Sequence, residues 1–133
     1  MIIQKGDNEV ILNIPILISD EDIDDIMSDI MDSPDVQEWV TSIDVVGKYK
    51  GEYASEQISR GGKLKVNLTD DMHETVGGDK VHVLSKPILL EGLRCFVREY
   101  PVCITQGRVW VSALDSHDMS TLLQYALFGI TYS

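Results

Sequence analysis

Between Ser19 and Pro34 the chain carries Ile23, Ile26, Met27, Ile30 and Met31 at steps of three and four, which places them on one continuous apolar stripe of a helix. A helix so patterned is stable only when that stripe is covered, so the remaining sequence must supply a core for it. Ser19 is the expected N-cap, with Asp22 three residues on as the acid of a capping box, and Ser33 and Pro34 end the segment. Opposite the stripe stand Asp22, Asp25, Asp29 and Asp32. Asp29 and Asp32 lie near the C-terminal end, where the helix dipole makes a carboxylate cost about 0.3–1 kcal/mol. Local helix stability therefore does not account for them.

The same segment holds most of the charge. Residues 1–47 carry twelve Asp or Glu and one base, Lys5, whereas residues 48–133 carry ten acids and ten Lys or Arg, so the formal charge of -11 belongs to the first third. Such a field repels nucleic acid and anionic membranes and attracts basic surfaces. The expected partner is thus a protein with a basic surface, with no direct nucleic-acid binding and no membrane. At 133 residues and 44% hydrophobic, one domain spanning 1–133 is expected. A domain of this size buries about two-thirds of its unfolded surface and needs neither a disulfide nor a metal. Cys95 and Cys103 fit no ligand set and no C-x-x-C motif, and Lys5 is followed by Gly6, Asp7, Asn8 and Glu9 rather than by an apolar leader. A reduced, cytoplasmic chain is the expectation.

The other elements follow from shorter patterns. Val10, Leu12, Ile14, Ile16 and Ile18 share one face of a strand with Ile11 and Leu17 on the other, and Pro15 pushes that strand toward an edge or a bulge. Ile43, Val45 and Val46, stopped by Gly47, mark a second strand. Lys63, Lys65 and Asn67 alternate with Leu64, Val66 and Leu68 in a third, entered by a turn at Gly61 and Gly62. Pro87 opens a second helix with Leu89, Leu93, Phe96 and Tyr100 on one face, closed by Pro101. Val109, Val111 and Ala113 read as a strand, and Ser116 as the cap of a third helix through Met119, Leu122, Leu123, Ala126 and Leu127. Gly129 stops that helix, and Ile130 to Tyr132 can pair as a last strand. The predicted class is α+β: one small domain, three helices packed on a small, largely antiparallel sheet.

Motifs of known chemistry fail on their spacing. Asp20, Asp22 and Asp24 mimic the start of a calcium loop, but Asp25 stands where Gly is needed and Met31 where Glu is needed. Arg60, Gly61, Gly62 and Lys63 lack the upstream Gly and the following Ser or Thr of a P-loop. His73, His82 and His117 have no ligand spacing, and Asp115 with His117 reads as helix capping. No catalytic residue, metal or cofactor is expected.

The run from Gly51 to Gly62, GEYASEQISRGG, differs in kind. It is polar and turn-rich, and with Lys48, Tyr49, Lys50, Lys63 and Lys65 around it, its bases and tyrosines could hold a phosphate, Arg60 as a fork and Tyr as a stacking face. The plainer reading is a solvated hairpin whose lysines prevent edge pairing. This segment, together with Gln124, Tyr125, Ala126, Leu127, Phe128 and Gly129, resembles a family of small uncharacterised phage and prophage proteins of Gram-positive bacteria. The resemblance covers Leu12 to Met27, Trp39 to Gly62 and the last helix, and departs from the family between Thr69 and Lys86. It implies a phage setting and no residue role.

Small phage proteins often antagonise host immunity, so the leading expectation is an anti-defence inhibitor, an anti-CRISPR foremost, that mimics DNA phosphates and blocks a host nucleic-acid enzyme. Its partner-binding residues would be Asp22, Asp24, Asp25, Asp29, Asp32, Asp35 and Glu38. One alternative is a module that sequesters a host signalling nucleotide through Tyr49, Tyr53, Gln57, Arg60, Gly61 and Gly62. Another is a non-catalytic accessory protein of phage development, acting as a homodimer through the apolar strand at 10–18.

Overall fold

The structure is a computed structural model that describes residues 2–4, 10–12 and 15–132. Helix α1, Asp20–Asp32, forms where its pattern places it. The Ser19 hydroxyl accepts the Asp22 N–H and the Asp22 carboxylate accepts the Ser19 N–H, both at 3.1 Å. Ile23, Ile26, Met27 and Ile30 are buried, each worth about 1.5–3 kcal/mol of apolar transfer. Ser33 ends α1 and at once caps a single further turn, α2, Pro34–Gln37, accepting the Val36 N–H at 3.2 Å. The Ser-Pro pair that reads as a stop is also the N-cap and first position of a new helix.

Three strands, β3 Val40–Val46, β4 Lys63–Leu68 and β5 Val81–Leu84, make an antiparallel sheet with β4 in the centre. Alternation in β4 sends Leu64, Val66 and Leu68 into the core and leaves Lys63 and Lys65 exposed. Helix α3, Asp70–Val76, links β4 to β5, in a stretch where no element was expected. Helices α4, Lys86–Glu99, and α5, Ser116–Phe128, bury Leu89, Leu93 and Phe96 and Met119, Leu122 and Leu123. They approach closely because α4 has Gly92 at the crossing, where a Cβ would lie 2.6 Å from the Ala126 backbone. The chain is thus α+β with a three-stranded antiparallel sheet, but five α-helices stand among the described residues rather than three.

Several local readings change. The strand expected at 10–18 is short: β2, Val10–Leu12, pairs with β1, Ile2–Gln4, while Ile16 and Leu17 are exposed and Ile14 lies outside the described residues. Pro15 has no N–H to continue a ladder. Leu17 instead bridges to Arg108 beside a small hairpin of β6, Ile104–Thr105, and β7, Arg108–Val109. Val111–Ala113 is one 3₁₀ turn rather than a strand. Asp115, not Ser116, caps α5, through a capping box with Asp118. Tyr100 is the exposed C-cap of α4 and stacks on Phe96 at 4.9 Å. Ile130 to Tyr132 pair with no strand among the described residues; the Tyr132 N–H folds back to the Gln124 side-chain oxygen at 2.7 Å. No described helix is long and apolar enough to cross a membrane.

Candidate functional site

The acidic residues do not form one surface. Asp22 is engaged in the α1 cap, with the Arg108 guanidinium 3.9 Å away. Asp24 accepts the Ser59 hydroxyl at 2.5 Å, tying α1 to the loop after β3. Asp20 pairs with Lys86 at 2.9 Å. These three point at Lys86, Ser19 and Ser59 from a helix, so they form no ion-binding loop. Asp25, Asp29 and Asp32 remain exposed, and none has a cationic partner among the described residues. Their spacing sets them about 6 and 4.5 Å apart along the axis. Partial removal from water raises the Asp29 carboxyl above its ordinary value of 3.8, and the charges of Asp25 and Asp32 raise it further.

Asp35 and Glu38 lie elsewhere. With Asp71, His117 and Gln124 they line a separate cleft of about 350 Å³ between α2, α3 and α5. The expected set of seven acids therefore divides into an outward row of three, a cleft pair, and two residues taken up inside the fold.

The segment 51–62 holds itself together. One oxygen of Glu56 accepts the backbone N–H groups of Glu52 and Tyr53 at 2.9 and 3.0 Å, and the other accepts from Arg60 at 3.1 Å. The Tyr53 N–H first, then the Glu52 N–H and Arg60, hold the Glu56 carboxyl below its usual 4.5. Gln57 is fully buried, accepting the Lys50 N–H at 2.9 Å and donating toward the carbonyls of Lys48 and Lys63 at 3.3 and 3.5 Å. Ile58 is in the core, and Gly61 turns the chain at φ +87°. Gly62 packs on Gln57, where a Cβ would meet the side-chain nitrogen at 2.3 Å.

Of the six residues expected to bind a ligand, Gln57 and Gly62 are therefore structural and Arg60 is paired, while Tyr49 and Tyr53 are 60% and 64% exposed. Gly61 and Gly62 do border an open basin of about 380 Å³, but its charged walls are Lys48, Lys50 and Lys63, with Val46, Gly47 and Gln57 completing the lining. The basic cluster was visible in the sequence; which of its members converge was not, because that depends on the Gln57 strap.

No family model, curated protein or solved structure matches the chain. The fold and surface define a class only: a small α+β domain with a carboxylate row on one helix and a lysine basin at one end of its sheet.

Proposed function

We propose that this chain is a phage-encoded anti-defence protein, an anti-CRISPR foremost, that blocks a host nucleic-acid enzyme by presenting carboxylates where phosphates would bind. The observation that carries the reading is the exposed row Asp25, Asp29 and Asp32, which has no cation beside it among the described residues. With exposed Glu21 the row places four carboxylates over eleven residue steps, about one per 5–6 Å of helix axis, against about 3.4 Å per phosphate along one DNA strand. A basic channel that neutralises the row also relieves the repulsion on Asp29, which favours binding. The phage setting rests on the resemblance of the 51–62 and 124–129 segments.

The test is capture from host lysate at low and high salt, with the wild type and an Asp25→Lys/Asp29→Lys variant. The expected result is a nucleic-acid enzyme retained at low salt, released at high salt and absent with the variant. Capture that survives both salt and charge reversal removes the mimicry reading.

A further inference from the structure

We infer that the basin bordered by Lys48, Lys50 and Lys63 is a binding site for a small phosphate-bearing anion. This does not rest on the acidic-row proposal. All three lysines are exposed, and none is within ion-pair distance of a carboxylate among the described residues. In a chain with 22 acids and 11 Lys or Arg, three unpaired cations around one depression need a reason. Protection of a sheet edge does not supply it for Lys63, because β4 is the central strand.

The construction beneath the basin is specific. A single side chain, Gln57, is 0% exposed and hydrogen-bonds the main chain of each of the three lysines: the Lys50 N–H, the Lys48 carbonyl and the Lys63 carbonyl. One buried amide thus fixes the backbone from which all three ammonium groups project, which lowers the ordering cost of gripping an anion. Gly62 belongs to the same device, since any side chain there displaces Gln57. Gly47, Gly61 and Gly62 contribute only backbone to a lining completed by Val46 and Gln57, so a phosphate can approach the main chain at the glycines. Lysine suits the task as a point charge on a mobile stem.

The size and the field favour a small ligand over a polymer. The basin, at about 380 Å³, falls within the range of about 300–1,000 Å³ of small-molecule sites. The net charge of -11 opposes the approach of a polyanion to the rest of the surface.

The experiment is an amide-resolved NMR titration of the full chain with inorganic pyrophosphate, and in a second arm with a single-stranded thymidine octamer. Saturable shifts confined to Gly47, Lys48, Lys50, Gly61, Gly62 and Lys63 are expected with pyrophosphate. A Lys48→Gln/Lys50→Gln variant, which alters only exposed side chains, should bind at least about tenfold more weakly. Lys65→Gln and Lys80→Gln should bind as the wild type does. Absence of saturable shifts, equal weakening by Lys65→Gln, or tighter binding of the octamer than of pyrophosphate overturns the inference.

Discussion

Replacing Gln57 with Leu keeps the volume of a fully buried side chain and removes its polar atoms, so it isolates what the strap contributes. The Lys50 N–H loses a bond of 2.9 Å, and the carbonyls of Lys48 and Lys63 lose longer contacts of 3.3 and 3.5 Å. Counting the short bond fully and the two long ones together as a second, with about 1–3 kcal/mol for each buried group left unmet, gives about 2–6 kcal/mol. Water can reach the exposed lysine segments, which places the expected loss near the lower end, about 2–3 kcal/mol. In a chain of this size that lowers the melting temperature by about 6–15 °C. Urea unfolding followed by circular dichroism gives the free energy directly, and an unchanged m-value shows that the surface exposed on unfolding is the same in the variant. Tyr53→Ala, a change at a 64% exposed side chain in the same segment, is the control and should stay within about 0.5 kcal/mol of wild type. If Gln57→Leu costs no more than that control, the account of segment 51–62 as a loop strapped from within is wrong.

Gly92→Ala separates propensity from packing: a helical Gly→Ala change ordinarily gains up to about 1 kcal/mol. Here the new Cβ meets the Ala126 backbone at 2.6 Å, and overpacking of about 1–3 kcal/mol should outweigh that gain and lower the urea midpoint. Glu56 and Asp29 should respond to acid in opposite senses. The Glu56 carboxyl is depressed, so its support is present above its ordinary 4.5 and is lost as pH falls through the lowered value. Protection factors across 51–62, taken relative to the intrinsic exchange rate at each pH, should fall there, and Glu56→Gln should abolish that dependence. Asp29 is raised, so the folded state binds its proton more readily, and its destabilising charge is relieved as pH falls through the raised value. Asp29→Asn should remove that gain, read as a flatter stability curve on the acid side of neutrality.

What the sequence disclosed were the elements whose burial is written in a local period. The α1 stripe, the alternation of Leu64, Val66 and Leu68, and the Leu89, Leu93 and Phe96 face all sit where the pattern places them. The missed elements have no such period. Helix α3 buries only Met72 and is announced by a polar cap, the Thr69 hydroxyl accepting the Met72 N–H at 3.1 Å. Strand β5 turns Val81 and Val83 outward and buries Leu84, so its apolar alternation names the wrong face. Strand β3 begins three residues early, at Val40, because an irregularity between Val40 and Ser42 breaks the alternation that would have revealed it. At Val111 the fault is reversed: an alternating pattern sits on a one-turn helix, because the hairpin pairing ends where the Trp110 N–H meets the Cys103 carbonyl, and the Ala113 and Leu114 N–H groups then close local turns on Trp110 and Val111.

For the candidate sites, residue type was legible and partnership was not. Composition marks every Asp of the first third as equivalent, yet the cap takes Asp22 and the Ser59 hydroxyl takes Asp24, through contacts of 3 and 35 residues' separation. Segment 51–62 shows the same division more sharply. Gly51, Glu56, Gln57, Ile58, Ser59 and Gly62 are each accounted for by a contact that shapes the loop, and Gly61 by its left-handed backbone. In the last helix Gln124 holds the Tyr132 N–H, Ala126 receives Gly92 and Gly129 ends the helix at φ +75°. Among the described residues, the exposed side chains left without an ion-pair partner include Asp25, Asp29 and Asp32 on one element and Lys48, Lys50 and Lys63 around another. Two variants that reverse or neutralise those groups leave the packing contacts intact, so loss of binding in either would report on function rather than on folding.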